Sequence, residues 1–488
     1  MMQTLQNIID IIHPIIIFLY IISILTVVVY TILENRNPLK TISWVLVLIL
    51  IPVVGFIFFI FFGQNYRKEK IIARKGLKNH ERLSNLAHAQ IHRLSEGEGI
   101  DKDMFVKKRS LITLLLNNSN SVITIGNKIK VLQNGAATFK SIINALKKAQ
   151  KFIHLEYYIF ADDNIGGRIK EILIEKAAEG VEVRVIVDDV GSWELKQVFF
   201  DELTNAGIEI FSFLKVRFPN LTSKVNYRNH RKIIVIDGEI GYIGGLNIAD
   251  RYFTGSKKFK QWRDTHLKVE GDGVNSLQTI FLTDWYFVSQ KELHHKKYFP
   301  LKETPGDKMI QIVPSGPDSD WPGIMMGIFQ AIASAERSVY IATPYFMPSD
   351  AVLMALKTAA LGGLDVKIII PEKSDALITM FSSRSFIREM LDAHVKIYFY
   401  TKGFMHSKVM IVDDDLSVVG SANMDFRSFE QNYEASAFIY DRATASELKK
   451  TYITDIENSK KIVTEEWSKR PLLEKIKESF ARLVSPLL

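Results

Sequence analysis

One pattern occurs twice in this chain at a fixed separation, and it restricts the fold more than any other feature of the sequence. The first copy reads His230-Arg-Lys232, four apolar residues, Asp237, then Gly244-Gly245-Leu-Asn247. The second reads His406-Ser-Lys408, four apolar residues, Asp413, then Gly420-Ser421-Ala-Asn423. Histidine to histidine and asparagine to asparagine, the offset is 176 residues. Agreement over so many positions marks an internal duplication. Upstream, apolar strand-like runs pair off as well: 151–160 with 337–348, 181–192 with 364–375, and 205–213 with 392–400. Helix-like stretches such as SIINALKKAQ and GRIKEILIEKAAEG lie between them. Strands alternating with helices predict an α/β fold with a largely buried sheet. The expectation is two tandem α/β sandwich half-domains with pseudo-twofold symmetry, over 118–300 and 301–488, preceded by a basic, helical linker at 64–117.

The mean hydropathy of +0.06 is high for an α/β body of this size, and the apolar excess sits at the front. Pro14 to Leu33 and Thr41 to Gly63 carry no formal charge. At 1.5 Å rise per residue each is long enough to cross a hydrocarbon core of roughly 30 Å. A membrane hairpin over 1–63 is therefore expected, with transmembrane helices at about 11–33 and 41–63 and the short loop Glu34 to Lys40 between them. A cleaved signal peptide fits poorly, since no basic residue precedes the first run and no small-residue cleavage site follows it. Arg67, Lys68, Lys70, Arg74, Lys75 and Lys78 follow the second run, and the positive-inside rule puts that side in the cytoplasm. Lysine and arginine exceed aspartate and glutamate by eight, which suits a phosphate-bearing partner, nucleic acid or anionic membrane. The chain has no cysteine, which excludes disulfides, thiolate nucleophiles and cysteine-ligated zinc.

The duplicated residues are those a phosphodiester requires. In each copy the apolar run after the lysine reads as a buried strand, so His230 and Lys232, and likewise His406 and Lys408, project to one side. Lys232, Lys408, Asn247 and Asn423 supply donors for oxygens that gain charge as phosphorus is attacked. One imidazole can attack phosphorus while the other protonates the leaving oxygen, then serves as base toward the incoming hydroxyl. Glu434 lies 28 residues after His406, and Asp264 lies 34 after His230. Both are assigned as carboxylates that orient a histidine through its far ring nitrogen. Asp237 and Asp413 complete the catalytic motif, but fall an odd five residues past the lysines, which turns them away from the site and toward the strand turn. A metal site fits poorly, because each copy offers one histidine beside a lysine.

With these residues in view, the chain resembles the phospholipase D superfamily, and end to end the bacterial cardiolipin synthases within it. NYRNHRKIIVIDG, GGLNIADRY, QWRDTH, FMHSKVMIVDD and the amino-terminal NRNPLKTISWVLVLILIPVVG carry the resemblance. It implies transfer of a phosphatidyl group between two phosphatidylglycerols through a phosphohistidine, giving cardiolipin and glycerol with no cofactor. Implied partners are phosphatidylglycerol and anionic membrane lipids, not nucleic acid, at the cell membrane with the catalytic body on the cytoplasmic side. His230 and His406 become the catalytic pair, with His230 favoured as nucleophile by the resemblance alone. A hydrolase or a transferase to another alcohol would use the same residues. The terminal run LLEKIKESFARLVSPLL has helical apolar spacing, suited either to a membrane surface or to the protein core.

Overall fold

The computed structural model describes residues 102–216, 227–293, 295–300 and 304–487, the segments 21–22, 24–29, 38–51 and 85–92, and single residues 14, 18, 55 and 59. These fall into two units, one drawn from the first 66 residues and one from the rest. In the first unit Pro38–Leu50 is a helix, opened by a proline where no amide hydrogen is needed. Leu48 is buried, whereas Ile42, Leu46, Ile49 and Leu50 are exposed. The two spans expected at 11–33 and 41–63 lie in large part outside the described residues. Among the described residues, no helix is long and apolar enough to cross a membrane.

In the second unit the first repeat contributes β1 (Ile123–Gln133), β2 (Phe152–Tyr157), β3 (Glu182–Asp188), β4 (Glu209–Phe213), β5 (Lys232–Ile236), β6 (Ile240–Gly244), β7 (Trp262–Arg263) and β8 (Thr265–Glu270). The second repeat contributes β9 (Lys308–Ser315), β10 (Ser338–Ala342), β11 (Phe346–Met347), β12 (Asp365–Pro371), β13 (Lys396–Tyr400), β14 (Phe404–Met405), β15 (Val409–Val412), β16 (Leu416–Gly420), β17 (Met424–Asp425), β18 (Glu434–Tyr440) and β19 (Ser459–Lys461). Among the described residues, fifteen of these strands form one sheet in the order β19-β13-β12-β10-β15-β16-β18-β9-β1-β8-β6-β5-β2-β3-β4. Reading outward from the antiparallel β1–β9 junction, each repeat lays down its strands in the same order. The duplication is thus a pseudo-twofold about that junction, and the two repeats share one sheet.

The parallel strands β2-β3-β4 and β10-β12-β13 are linked by crossover helices such as Asn164–Ala178 and Asp350–Leu361. The almost continuous burial of β2, β3, β10 and β12 reflects cover on both faces. The hairpin β5–β6 turns at Asp237-Gly238, with φ of 55° and 69°, and β15–β16 turns at Asp413-Asp414, with φ of 54° and 62°. Within the segment expected to be helical before the first repeat, Lys102–Ser119 is a helix. It buries Leu111, Ile112, Leu115 and Leu116 in the same core as Ile324 and Ile328 of helix Gly323–Ala333. Lys108, 2 % exposed, meets Asp415 at 3.0 Å. The terminal helix Leu472–Val484 packs against helix Leu377–Ser385, yet leaves Leu472, Leu473, Phe480 and Leu483 exposed.

Candidate active site

Two short crossings bring the repeats together. Trp262–Arg263 pairs in parallel with Phe404–Met405, and Asn229 bridges in parallel to Tyr433. The His406 amide donates to the Arg263 carbonyl at 2.8 Å, and the His230 amide to the Tyr433 carbonyl at 2.9 Å. Each crossing therefore stops one residue short of a carboxylate: Asp264 at one, Glu434 at the other. As a result the carboxylates are exchanged between repeats. His230 Nδ1 lies 3.0 Å from Glu434, and His406 Nδ1 lies 2.5 Å from Asp264. Neither carboxylate serves the histidine of its own repeat. With Nδ1 committed to an acceptor, Nε2 is the nitrogen left for chemistry in each ring.

Both histidines and both asparagines line a single cavity of about 570 Å³. Asn247 accepts the Ile159 amide at 3.1 Å and donates to the Tyr252 hydroxyl at 2.8 Å. Asn423 donates to Asp425 at 3.0 Å. The strands begin at or just past the lysines, and both ammoniums are buried. Lys232 Nζ donates to the His230 carbonyl at 2.6 Å, and Lys408 Nζ to the His406 carbonyl. Asp237 and Asp413 do not line the cavity. Asp237 accepts the amides of Gln150, Lys151 and Phe152, and Asp413 those of Glu336, Arg337 and Ser338, so each closes a turn at the start of β2 or β10.

Burial controls the electrostatics. It lowers Lys232 to about 7 and Lys408 to about 8, despite Glu434 and Asp264 nearby. It also lowers both histidines, His406 to about 4 with Lys408 assisting. Burial opposes the charge of Asp264, yet Lys408 and His406 outweigh it and hold that carboxyl below its ordinary range. Burial thus sets neutral rings beside weakened cations, a combination that a bound anion would relieve.

The cavity also contains residues the motif did not single out. Tyr158 stands edge-on to His230 at 4.8 Å, and Tyr252 lies 5.8 Å from the His406 ring. Arg251 and Arg427 line the same space and are themselves 176 residues apart, a signal present in the sequence and missed. Arg228, which meets Asp188 at 3.4 Å, has no such mate: its counterpart is Phe404.

A duplicated α/β body whose two halves place paired histidines and asparagines at one cavity, with a buried lysine two residues past each histidine, defines a phospholipase D-like protein. The chain belongs to the cardiolipin synthase family of these proteins: the model described as "Cardiolipin synthase, PLD-like domain" matches residues 142–285 and 328–456. A second model, "Phospholipase_D-nuclease N-terminal", matches 15–64. The chain is 43% identical to a cardiolipin synthase of Alkalihalophilus pseudofirmus over 96% of its length and 93% of that protein. It is 45% identical to cardiolipin synthase 2 of Bacillus cereus, over 93% of this chain and 88% of that one. Among solved structures, the phosphatidylserine synthase of Haemophilus influenzae superposes with a TM-score of 0.58 at 16% identity, covering 78% of this chain and 100% of that one, which is a likeness of fold.

Proposed function

We propose that this chain is a cardiolipin synthase that transfers a phosphatidyl group from one phosphatidylglycerol to the glycerol hydroxyl of another. The observation that carries the reading is the exchanged pair His230–Glu434 and His406–Asp264 lining one cavity. In the first step His406 takes a proton from solvent at Nε2 once the charge of the bound phosphodiester offsets its burial; His230 Nε2 then bonds to phosphorus as the phosphorus–oxygen bond to glycerol breaks, and His406 gives that proton to the leaving oxygen. In the second, a hydroxyl of the acceptor passes its proton to His406 while its oxygen bonds to phosphorus and the phosphorus–nitrogen bond breaks. Lys232, Lys408, Asn247 and Asn423 hold the phosphoryl oxygens; at an effective dielectric of 20, one charge pair at about 4 Å contributes about 4 kcal/mol before desolvation. Asp264 and Glu434 fix the tautomers, and Asp237 and Asp413 act through the turns they close.

The amino-terminal segment belongs to this reading as a membrane hairpin. Its support is the two uncharged runs, the exposed apolar side chains Phe18, Ile21, Leu25, Ile42 and Leu46, and the basic cluster after residue 66. The half-domains over 118–300 and 301–488 then work at the cytoplasmic face of the cell membrane on phosphatidylglycerol. Purified full-length protein in phosphatidylglycerol vesicles should form cardiolipin and release glycerol one for one, read by mass spectrometry and a glycerol assay. Phosphatidate in place of cardiolipin would make the protein a hydrolase.

A further inference from the structure

Cardiolipin synthesis sets a requirement that the paired motif does not meet. The donor's phosphate sits at the histidines, but the acceptor brings a second phosphate, three carbons from its attacking hydroxyl. That second anion has to be held while the neutral glycerol it replaces is not. We infer that Arg251 and Lys258 hold the acceptor's phosphate, on the His406 side of the cavity; the inference rests on the function proposed above.

Four observations support this placement. Arg251, Ser256 and Lys258 all line the cavity shared by the two histidines. The segment that carries them lies against His406: Tyr252 and Trp262 have ring centres 5.8 and 5.3 Å from it. The segment is held in shape where Gly255, at φ 83°, approaches the Lys260 carbonyl so closely that a Cβ would stand 2.4 Å from it. The Arg251 guanidinium lies 5.3 Å over the Tyr252 ring, and Tyr252 in turn bonds Asn247 at 2.8 Å, so the arginine is tied to the phosphoryl-holding asparagine by a rigid ring.

Charge decides between the two sides of the cavity. Glu194 and Asp163 favour the charge of Arg251, but neither lines the cavity. Lys258 Nζ is held by the Asp375 carbonyl at 2.8 Å, while the Asp375 carboxylate is engaged by the Tyr345 hydroxyl at 2.7 Å. Arg427, the repeat mate of Arg251, stands instead near Tyr158 and so near His230, and there the neighbouring guanidinium, Arg228, meets the buried carboxylate of Asp188 at 3.4 Å. An arginine presents a planar fork matched to phosphate, and the lysine adds a movable charge. With the acceptor's phosphate on the His406 side, His406 is the acid and base, and His230 the nucleophile.

The test separates binding of the second phosphate from chemistry at the first. Full-length protein in phosphatidylglycerol vesicles is given radiolabelled glycerol, and two products are counted: labelled phosphatidylglycerol, from the phosphohistidine meeting a neutral alcohol, and cardiolipin. Arg251→Gln should lower the ratio of cardiolipin to exchange product at least tenfold, with Lys258→Gln lowering it about threefold and Arg251→Lys restoring part of it. The exchange product itself reports that each variant is folded and forms the intermediate. An unchanged ratio in Arg251→Gln overturns the inference, as does a selective loss in Arg427→Gln alone. Wild-type protein that exchanges glycerol but makes no cardiolipin would instead overturn the proposed function, and the subsite with it.

Discussion

The surroundings of His230 and His406 are alike in plan and different in material. At each crossing a buried arginine meets a buried acid from a following helix. At the His230 crossing it is Arg231, beside the histidine itself, which pairs with Asp284 and donates to the Glu434 carbonyl at 3.2 Å. At the His406 crossing it is Arg263, beside the carboxylate, which pairs with Asp455 at 2.9 Å and donates to Ser407 at 3.2 Å. The repeat mate of Arg231 is Ser407, and that of Arg263 is Tyr433, so the cation has changed strands while its place in the fold is kept. Behind His230 lie further buried polar groups: Glu156, Asp188, Arg228 and Asn229. Their counterparts behind His406 are Ala342, Pro371, Phe404 and Met405, and there Phe404 packs 5.7 Å from the ring. The lesson is that catalytic symmetry lies in what touches the phosphate, while the support is free to diverge.

The largest test removes the rings. His230→Ala and His406→Ala should each cut cardiolipin formation by about four orders of magnitude, since each loses a covalent or acid–base role. Near-normal turnover in either one would break the shared site. Next come the arginines. Arg231→Met and Arg263→Met each leave a buried acid without its partner and should lower stability by about 3–5 kcal/mol, measured by denaturant unfolding. A cost at one crossing only would show that the exchange of strands is not equivalent.

A smaller contrast lies in the turn beside each carboxylate. A Cβ at Gly245 would meet Asp264 at 2.1 Å, whereas its mate Ser421 donates its hydroxyl to Glu434. Gly245→Ala should therefore displace the acceptor of His406 and lower kcat about a hundredfold. Ser421→Ala should lower it about tenfold, the worth of one charge-assisted hydrogen bond. Equal effects would mean that the two carboxylates are held alike.

The smallest effect is in pH. The free-enzyme lysines lie near 7 and 8, below their ordinary value, so rising pH through that range removes the charges that oppose the phosphodiester. The kcat/KM profile should fall there on its alkaline side. Lys232→Arg keeps its charge and should move the fall upward toward the Lys408 value. An unmoved limb would assign it to another group.

The histidines, lysines and asparagines were legible because a duplication repeats its spacing whatever the residues do. The strands were legible because buried parallel strands are written in continuous β-branched runs, as in β3 and β12. Arg251 and Arg427 obey the same offset and were overlooked because no motif drew attention to them. Arg228 and Tyr158 had no repeat mate to reveal them. The network of Glu156, Arg231 and Asp284 joins residues distant in sequence, and nothing local in any of them announces the others.

By itself the sequence determined that two copies of one α/β unit exist and which polar residues each carries, because periodicity and spacing are properties of a chain in one dimension. Only the tertiary structure decided that the copies share a sheet and exchange carboxylates across a seam. That exchange depends on two parallel crossings between segments far apart in the chain, Asn229 with Tyr433 and Trp262–Arg263 with Phe404–Met405. Each is formed only when both halves have folded, so no stretch of either half contains it.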